Sequence, residues 1–149
     1  MQKPGLYISS FLKKSGHEKW LLFRVFLLLF WVRFLLLILP FKHFSSLLGK
    51  QTKNHDDTSP AIDENYVDMV SRYIKTFSYI VPWDSKCLAQ AAAGKILMRK
   101  KGFPATVYFG VKKGTENEKI EAHAWLRVGP KIVLGGEIAD QFMVVNMFS

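Results

Sequence analysis

The sequence predicts an α+β fold, with helices in its N-terminal part and a small antiparallel sheet after them. Two observations carry this reading. Apolar residues recur at helical spacing as far as Lys101, and from Ala105 onward the pattern changes to the alternation of strands. Gly102, Pro104, Gly129-Pro130 and Gly135-Gly136 fall where this second part needs turns. The 149 residues suffice for one domain of ordinary size, and an apolar content of 49% excludes a disordered chain.

Residues 1–19 are polar and basic, with no clear period. Residues 20–41 read WLLFRVFLLLFWVRFLLLILPF, long enough to span a bilayer. Arg24 and Arg33 oppose a clean span, since each costs about 2.5–3.5 kcal/mol near the bilayer centre. They lie nine residues apart, a turn of about 180° on an ideal helix, so no single polar stripe emerges. No small-residue cleavage site follows Leu39-Pro40-Phe41, which argues against a signal peptide. The segment is expected to form one or two helices buried against the rest of the protein or a partner. Membrane contact through 20–41 is the alternative.

Residues 49–59 read as a polar linker. Ser59 as N-cap and Pro60 at the first helical position open a helix, with Asp63 and Glu64 in its first turn. Ile62, Tyr66, Met69, Val70, Tyr73 and Phe77 carry its apolar face to about Ile80, and Pro82 ends it. Asp84 or Ser85 caps the next helix, from about Cys87 to Lys101. Arg99, Lys100 and Lys101 complement its C-terminal dipole, and Gly102 stops it.

Ala105 to Val111 alternates as a strand, and Lys112 to Glu118 is a loop. Lys119 to Val128 is a second strand. Ile120, Ala122, Ala124, Leu126 and Val128 point to one side of it, and Glu121, His123, Trp125 and Arg127 to the other. Lys131 to Leu134 is a third strand, and the apolar tail 137–149 has room for one more. The Cys87 helix is expected to cover the sheet face that shows His123. Part of 20–48, or a partner chain, is expected to cover the opposite face.

The formal net charge of +9 is unevenly placed. Residues 1–55 hold nine Lys/Arg and one acid, while residues 56–149 hold twelve Lys/Arg and eleven acids. The chain therefore divides into a basic, hydrophobic helical segment (1–55) and a nearly neutral domain (56–149). The basic segment suits an anionic partner, a membrane surface or a docking role. It carries no recognised nucleic-acid motif, so no nucleic-acid partner is expected. His17, His43 and His55 show no metal-ligand spacing, and neither metal nor other cofactor is expected.

The single cysteine, Cys87, excludes an intramolecular disulfide. It falls in the first turn of its helix, where backbone N–H groups and the dipole favour a thiolate. His123 lies mid-strand, 36 residues on. A strand side chain presented toward a helix N-terminus places an imidazole beside a thiol, giving a nucleophile and its general base. The backbone N–H of Cys87 is a candidate oxyanion donor, and Trp83 a second wall of the site. Each residue also has a plain structural reading: Cys87 as a small core residue, His123 as a hydrogen-bonded strand histidine, Trp125 as a core side chain rather than a cleft wall.

Four stretches carry a resemblance: Cys87-Leu88-Ala89-Gln90-Ala91, Arg99 through Ala105, Gly110-Val111, and Glu121 through Leu126 with its AHAW core. Together they resemble the stand-alone leader peptidase (B protein) of lasso-peptide biosynthesis, a transglutaminase-like cysteine protease in the broad papain-like class. The resemblance spans about residues 60–140. It implies a ribosomally made precursor peptide as substrate, a separate leader-recognition protein and an ATP-dependent cyclase as partners, no cofactor, and a cytoplasmic location with membrane association as the variant. Cys87 and His123 match the family's catalytic pair. The family's third member is an Asp about a dozen residues after the His, where this chain has Gly135. Glu137 is the favoured replacement, Asp140 the alternative, and a backbone carbonyl serves the same purpose. Two rival functions use the same residues: a transglutaminase-like acyltransferase, in which an amine replaces water, and a non-catalytic membrane-associated binding module with a structural Cys87.

Overall fold

The computed structural model describes residues 15–53, 62–80, 87–114 and 119–149. Four helices come first: α1 (Gly16–Ile38), α2 (Phe41–Leu47), α3 (Glu64–Ile80) and α4 (Cys87–Lys100). Strands β1 (Ala105–Lys113), β2 (Ile120–Val128) and β3 (Lys131–Leu134) follow, then a 3-10 helix (Gly136–Gln141) and β4 (Met143–Phe148). The sheet is antiparallel throughout, in the order β3-β2-β1-β4. The α+β architecture is thus the expected one, and the apolar tail supplies the fourth strand.

Local chemistry sets the boundaries. Ser15 and Glu18 form a reciprocal capping box at the start of α1: the Glu18 N–H donates to Ser15 Oγ at 3.3 Å, and the Ser15 N–H to the Glu18 carboxylate at 3.2 Å. Pro40 excludes helical backbone at Leu39 and ends α1. The expected start of α3 at Ser59-Pro60 falls outside the described residues. Ile62 and Asp63 are not helical, and it is the Asp63 carboxylate that caps α3, accepting the Tyr66 N–H at 3.1 Å.

A continuous apolar core joins these elements. Val25, Leu29 and Val32 of α1 meet Val70 and Ile74 of α3, Ala92 and Leu97 of α4, and Val107, Leu126 and Leu134 of the sheet. The charge boundary near residue 55 is therefore not a boundary in the core, which includes Leu21 and Phe148 alike. Helices α1 and α3 pack on α4, and α4 packs on β2 and β1. Small residues allow this last approach: a Cβ on Gly94 would lie 2.7 Å from side-chain atoms of both Leu126 and Leu134.

This packing corrects one expectation. Helix α4 covers the face of β2 that carries Ala124 and Leu126, not the face that carries His123. A second, smaller cluster of Tyr108, Trp125, Ala139 and Phe142 builds the His123 side, with Phe142 5.1 Å from the imidazole between ring centroids. The 3-10 helix and the start of β4 thus do what α4 was expected to do. Segment 20–48 contributes to cover on the α4 side, mainly by backing α4, and Phe41 of α2 meets Phe109 of β1 edge to face at 5.5 Å.

One buried cation ties the end of the sheet to α4. Lys95 is only 2% exposed, and its Nζ donates to the Phe148 carbonyl at 2.7 Å. Burial, reinforced by the charge of Arg99, pushes its pKa down from 10.5 to about 8. The folded state then binds fewer protons than the unfolded chain between these two values, so stability rises with pH across that window. Urea unfolding between pH 8 and pH 10.5 is expected to show this rise, and Lys95→Met is expected to remove it.

Candidate active site

Cys87 is the first residue of α4, and the helix is aimed so that this end reaches β2. Strand β3 pairs with β2 only at Leu126 to Val128. Two residues further along β2, the Ala124 N–H is directed at Cys87 Sγ, 3.4 Å away. The sulfur therefore lies against the backbone of the residue that follows His123. A backbone N–H aimed at sulfur interacts more strongly with a thiolate than with a thiol. Cys87 is half-buried and free of any disulfide.

His123 is held on three sides. Its ring stacks with Trp125 at 5.9 Å and 23°, and packs against Phe142 at 36°. Nε2 lies 2.7 Å from the Gly135 carbonyl oxygen. A carbonyl only accepts, so Nε2 carries the proton in this bond. In the neutral ring, Nδ1 is then the basic nitrogen. The imidazole is half-buried, with its tautomer and orientation both set by neighbours.

The other expected site residues fall as follows. Glu137 is exposed and hydrogen-bonded to Lys75 Nζ at 2.6 Å. That hydrogen bond holds its carboxyl below the usual carboxylate range, helped by a backbone hydrogen bond and, more weakly, by the charges of Lys75 and His123. Asp140 is exposed. Neither acid makes the hydrogen bond to His123 Nε2, which goes to Gly135. Trp125 is 5% exposed and also stacks on Tyr108 at 5.6 Å and 11°, so it backs the imidazole from within the small cluster. Trp83 lies outside the described residues. Among the described residues, no group of three His, Cys, Asp or Glu side chains has the arrangement of a metal site. A cavity lined by Lys95, Arg99, Phe103 and Ser149 lies at the C-terminal end of α4, at the opposite end of the helix from Cys87, and is no part of this site.

Sequence reasoning did not single out Phe142 or Tyr108, which shape the His123 environment. Gly110 makes room for Phe142 and the Trp125 ring. It pairs with His123 across β1 and β2, and a Cβ there would lie 2.7–2.9 Å from Phe142 and the Trp125 ring.

A family model for the transglutaminase-like superfamily matches residues 31–147. The chain belongs to that superfamily, which includes cysteine peptidases and acyltransferases. No curated protein and no solved structure matches it. The match begins within α1, in keeping with a core that joins this helix to the rest.

Gly135 itself resists replacement by an acid. Its φ is +72°, and a Cβ would stand 2.7 Å from the Ala124 carbonyl oxygen and 3.1 Å from Trp125 Cβ. Gly135→Asp is expected to destabilise the protein by about 2 kcal/mol in urea unfolding, through the left-handed backbone and the collision with Ala124. It is not expected to speed alkylation of Cys87, because the new side chain would start toward Ala124 rather than toward Nε2.

Proposed function

We propose that the protein is a cysteine peptidase that removes the leader from a ribosomally made lasso precursor peptide, with Cys87 as nucleophile and His123 as general base. The observation that carries this reading is the placement of Cys87 Sγ against the Ala124 N–H, one peptide from an imidazole whose Nε2 is occupied by Gly135. The superfamily supports the cysteine chemistry, and the AHAW resemblance around His123 supports the substrate class. The leader-recognition protein and the ATP-dependent cyclase belong to the same proposal as separate partners, and the reaction assigned to this chain uses no cofactor.

The proposed reaction runs through the following steps. Nδ1 takes the Cys87 proton, and the thiolate attacks the carbonyl carbon at the leader–core junction. The carbonyl oxygen becomes an oxyanion beside the N-terminus of α4, where the Cys87 N–H is a donor. As the C–N bond breaks, the imidazolium protonates the leaving amine, which is the new N-terminus of the core. Water then attacks the thioester and gives its proton to Nδ1. The leader leaves as a carboxylic acid, and the thiol is restored. Gly135 holds the ring in one tautomer throughout and stays neutral.

The test is incubation with a candidate precursor and its leader-recognition protein, followed by mass spectrometry. Two fragments whose masses add to the precursor plus one water support hydrolysis. A product joined to an added amine identifies acyl transfer instead. Cys87→Ala and His123→Ala are each expected to lower the rate by about 10²–10⁴-fold or more. In parallel, iodoacetamide is expected to modify Cys87 more slowly in His123→Ala than in the wild type near neutral pH. Equal reactivity in the two would sink the pairing.

A further inference from the structure

Helix α1 has two apolar faces, and the core uses only one. Leu21, Leu22, Val25, Leu29 and Val32 are buried. Every exposed position from Trp20 to Ile38 is also apolar: four Phe, two Trp, two Leu and one Ile. Exposure is 58% at Trp20, 55% at Trp31 and 70% at Leu37. The exposed arc covers about 140° of a helix about 35 Å long. A patch of this kind marks an interaction surface.

Its borders say what covers it. On a helical wheel Arg24 falls about 20° beyond Trp31 on one side, and Arg33 about 20° beyond Phe26 on the other. Both arginines are half-buried. Arg33 Nε is buried and has no hydrogen-bond partner among the described residues. The flanking sequence is basic too, with Lys13, Lys14 and Lys19 before the face and Lys42 after it. Within the face, the indole N–H groups of Trp20 and Trp31 are the sole side-chain hydrogen-bonding groups. Protein interfaces carry on average about one hydrogen bond per 100–200 Å², and this face offers only the two indole donors. A lipid interface needs an apolar face, indoles at headgroup depth and cations at its margin.

We propose that α1 docks the protein in the plane of an anionic lipid surface, with the Trp20-to-Ile38 face in the interface and Arg24 and Arg33 on lipid phosphates. The helix is long and apolar enough to cross a bilayer. Crossing would strip Val25, Leu29 and Val32 from the core they share with α3 and α4, so the helix lies flat instead. This docking is independent of the peptidase reading and of Cys87.

The experiment is flotation of the full chain, released from mild detergent, with phosphatidylcholine vesicles with and without phosphatidylglycerol. Binding is expected with the anionic vesicles and is expected to weaken as salt rises. Tryptophan fluorescence should be quenched by lipids brominated near the headgroup more than by those brominated near the chain ends. Arg24→Gln with Arg33→Gln is expected to lower anionic binding about fivefold per charge. Phe30→Ser with Phe34→Ser is expected to lower it on the order of tenfold or more, with far-UV circular dichroism unchanged. Leu37→Ser is the companion variant should the double change disturb folding. Absence of flotation with either vesicle overturns the proposal. So does strongest quenching by chain-end bromines, which means a span, or a stable dimer in light scattering that ignores vesicles, which means a second copy covers the face.

Discussion

The structure depends on the approach of α4 to the sheet. Gly94 brings the helix axis close to Leu126 and Leu134, and this fixes where its first residue lands. Fourteen residues of helix span about 20 Å. A shift of one bulky side chain at Gly94 would therefore move Cys87 relative to Ala124 N–H, although the two sites are about two turns apart. Lys95, next in sequence, anchors the other side of the helix to the Phe148 carbonyl. Packing in the middle of α4 and chemistry at its end are thus one constraint, since cores transmit displacement rather than absorb it.

The same logic explains the two clusters. The larger core sits under α4 and positions the sulfur. The smaller one, Tyr108, Trp125, Ala139 and Phe142, sits on the opposite face and positions the imidazole. Cys87 reaches β2 from one side and His123 projects from the other, and the sulfur meets the Ala124 N–H at the stretch of β2 beyond its pairing with β3. A short β3 is therefore part of the site: a longer one would claim the Ala124 N–H for the sheet.

Much of this was legible in the sequence. The change of period at Ala105, the third strand and the run of α4 from Cys87 follow from patterning and from Gly102 and Pro104, while β1 runs two residues past the expected Val111 to Lys113. Cys87 and His123 stand out by residue type and spacing, and Cys87 Sγ lies against the residue that follows His123. What stayed hidden has physical reasons. Alternation along β2 separates two faces but does not say which one α4 will take, because both carry apolar residues. Phe142 enters the His123 environment through the turn after β3, which periodicity does not describe. Gly135 acts through its carbonyl, a group every residue has, so its sequence signal is only the loss of an acid from its expected place.

That loss changes the character of the site rather than merely removing a member. A carboxylate beside an imidazole stabilises the imidazolium by charge, while a carbonyl orients the ring and stabilises it only as a dipole. Glu137, two residues after Gly135, has its charge matched by Lys75 at 2.6 Å and is exposed, where screening weakens what reaches His123. The imidazole therefore relies on shape, through Trp125, Phe142 and Gly135, more than on a buried negative charge. Alkyl and aromatic walls hold a ring in place in either protonation state. Under the proposed reading, the placement of the ring would then survive each step of an acyl-transfer cycle.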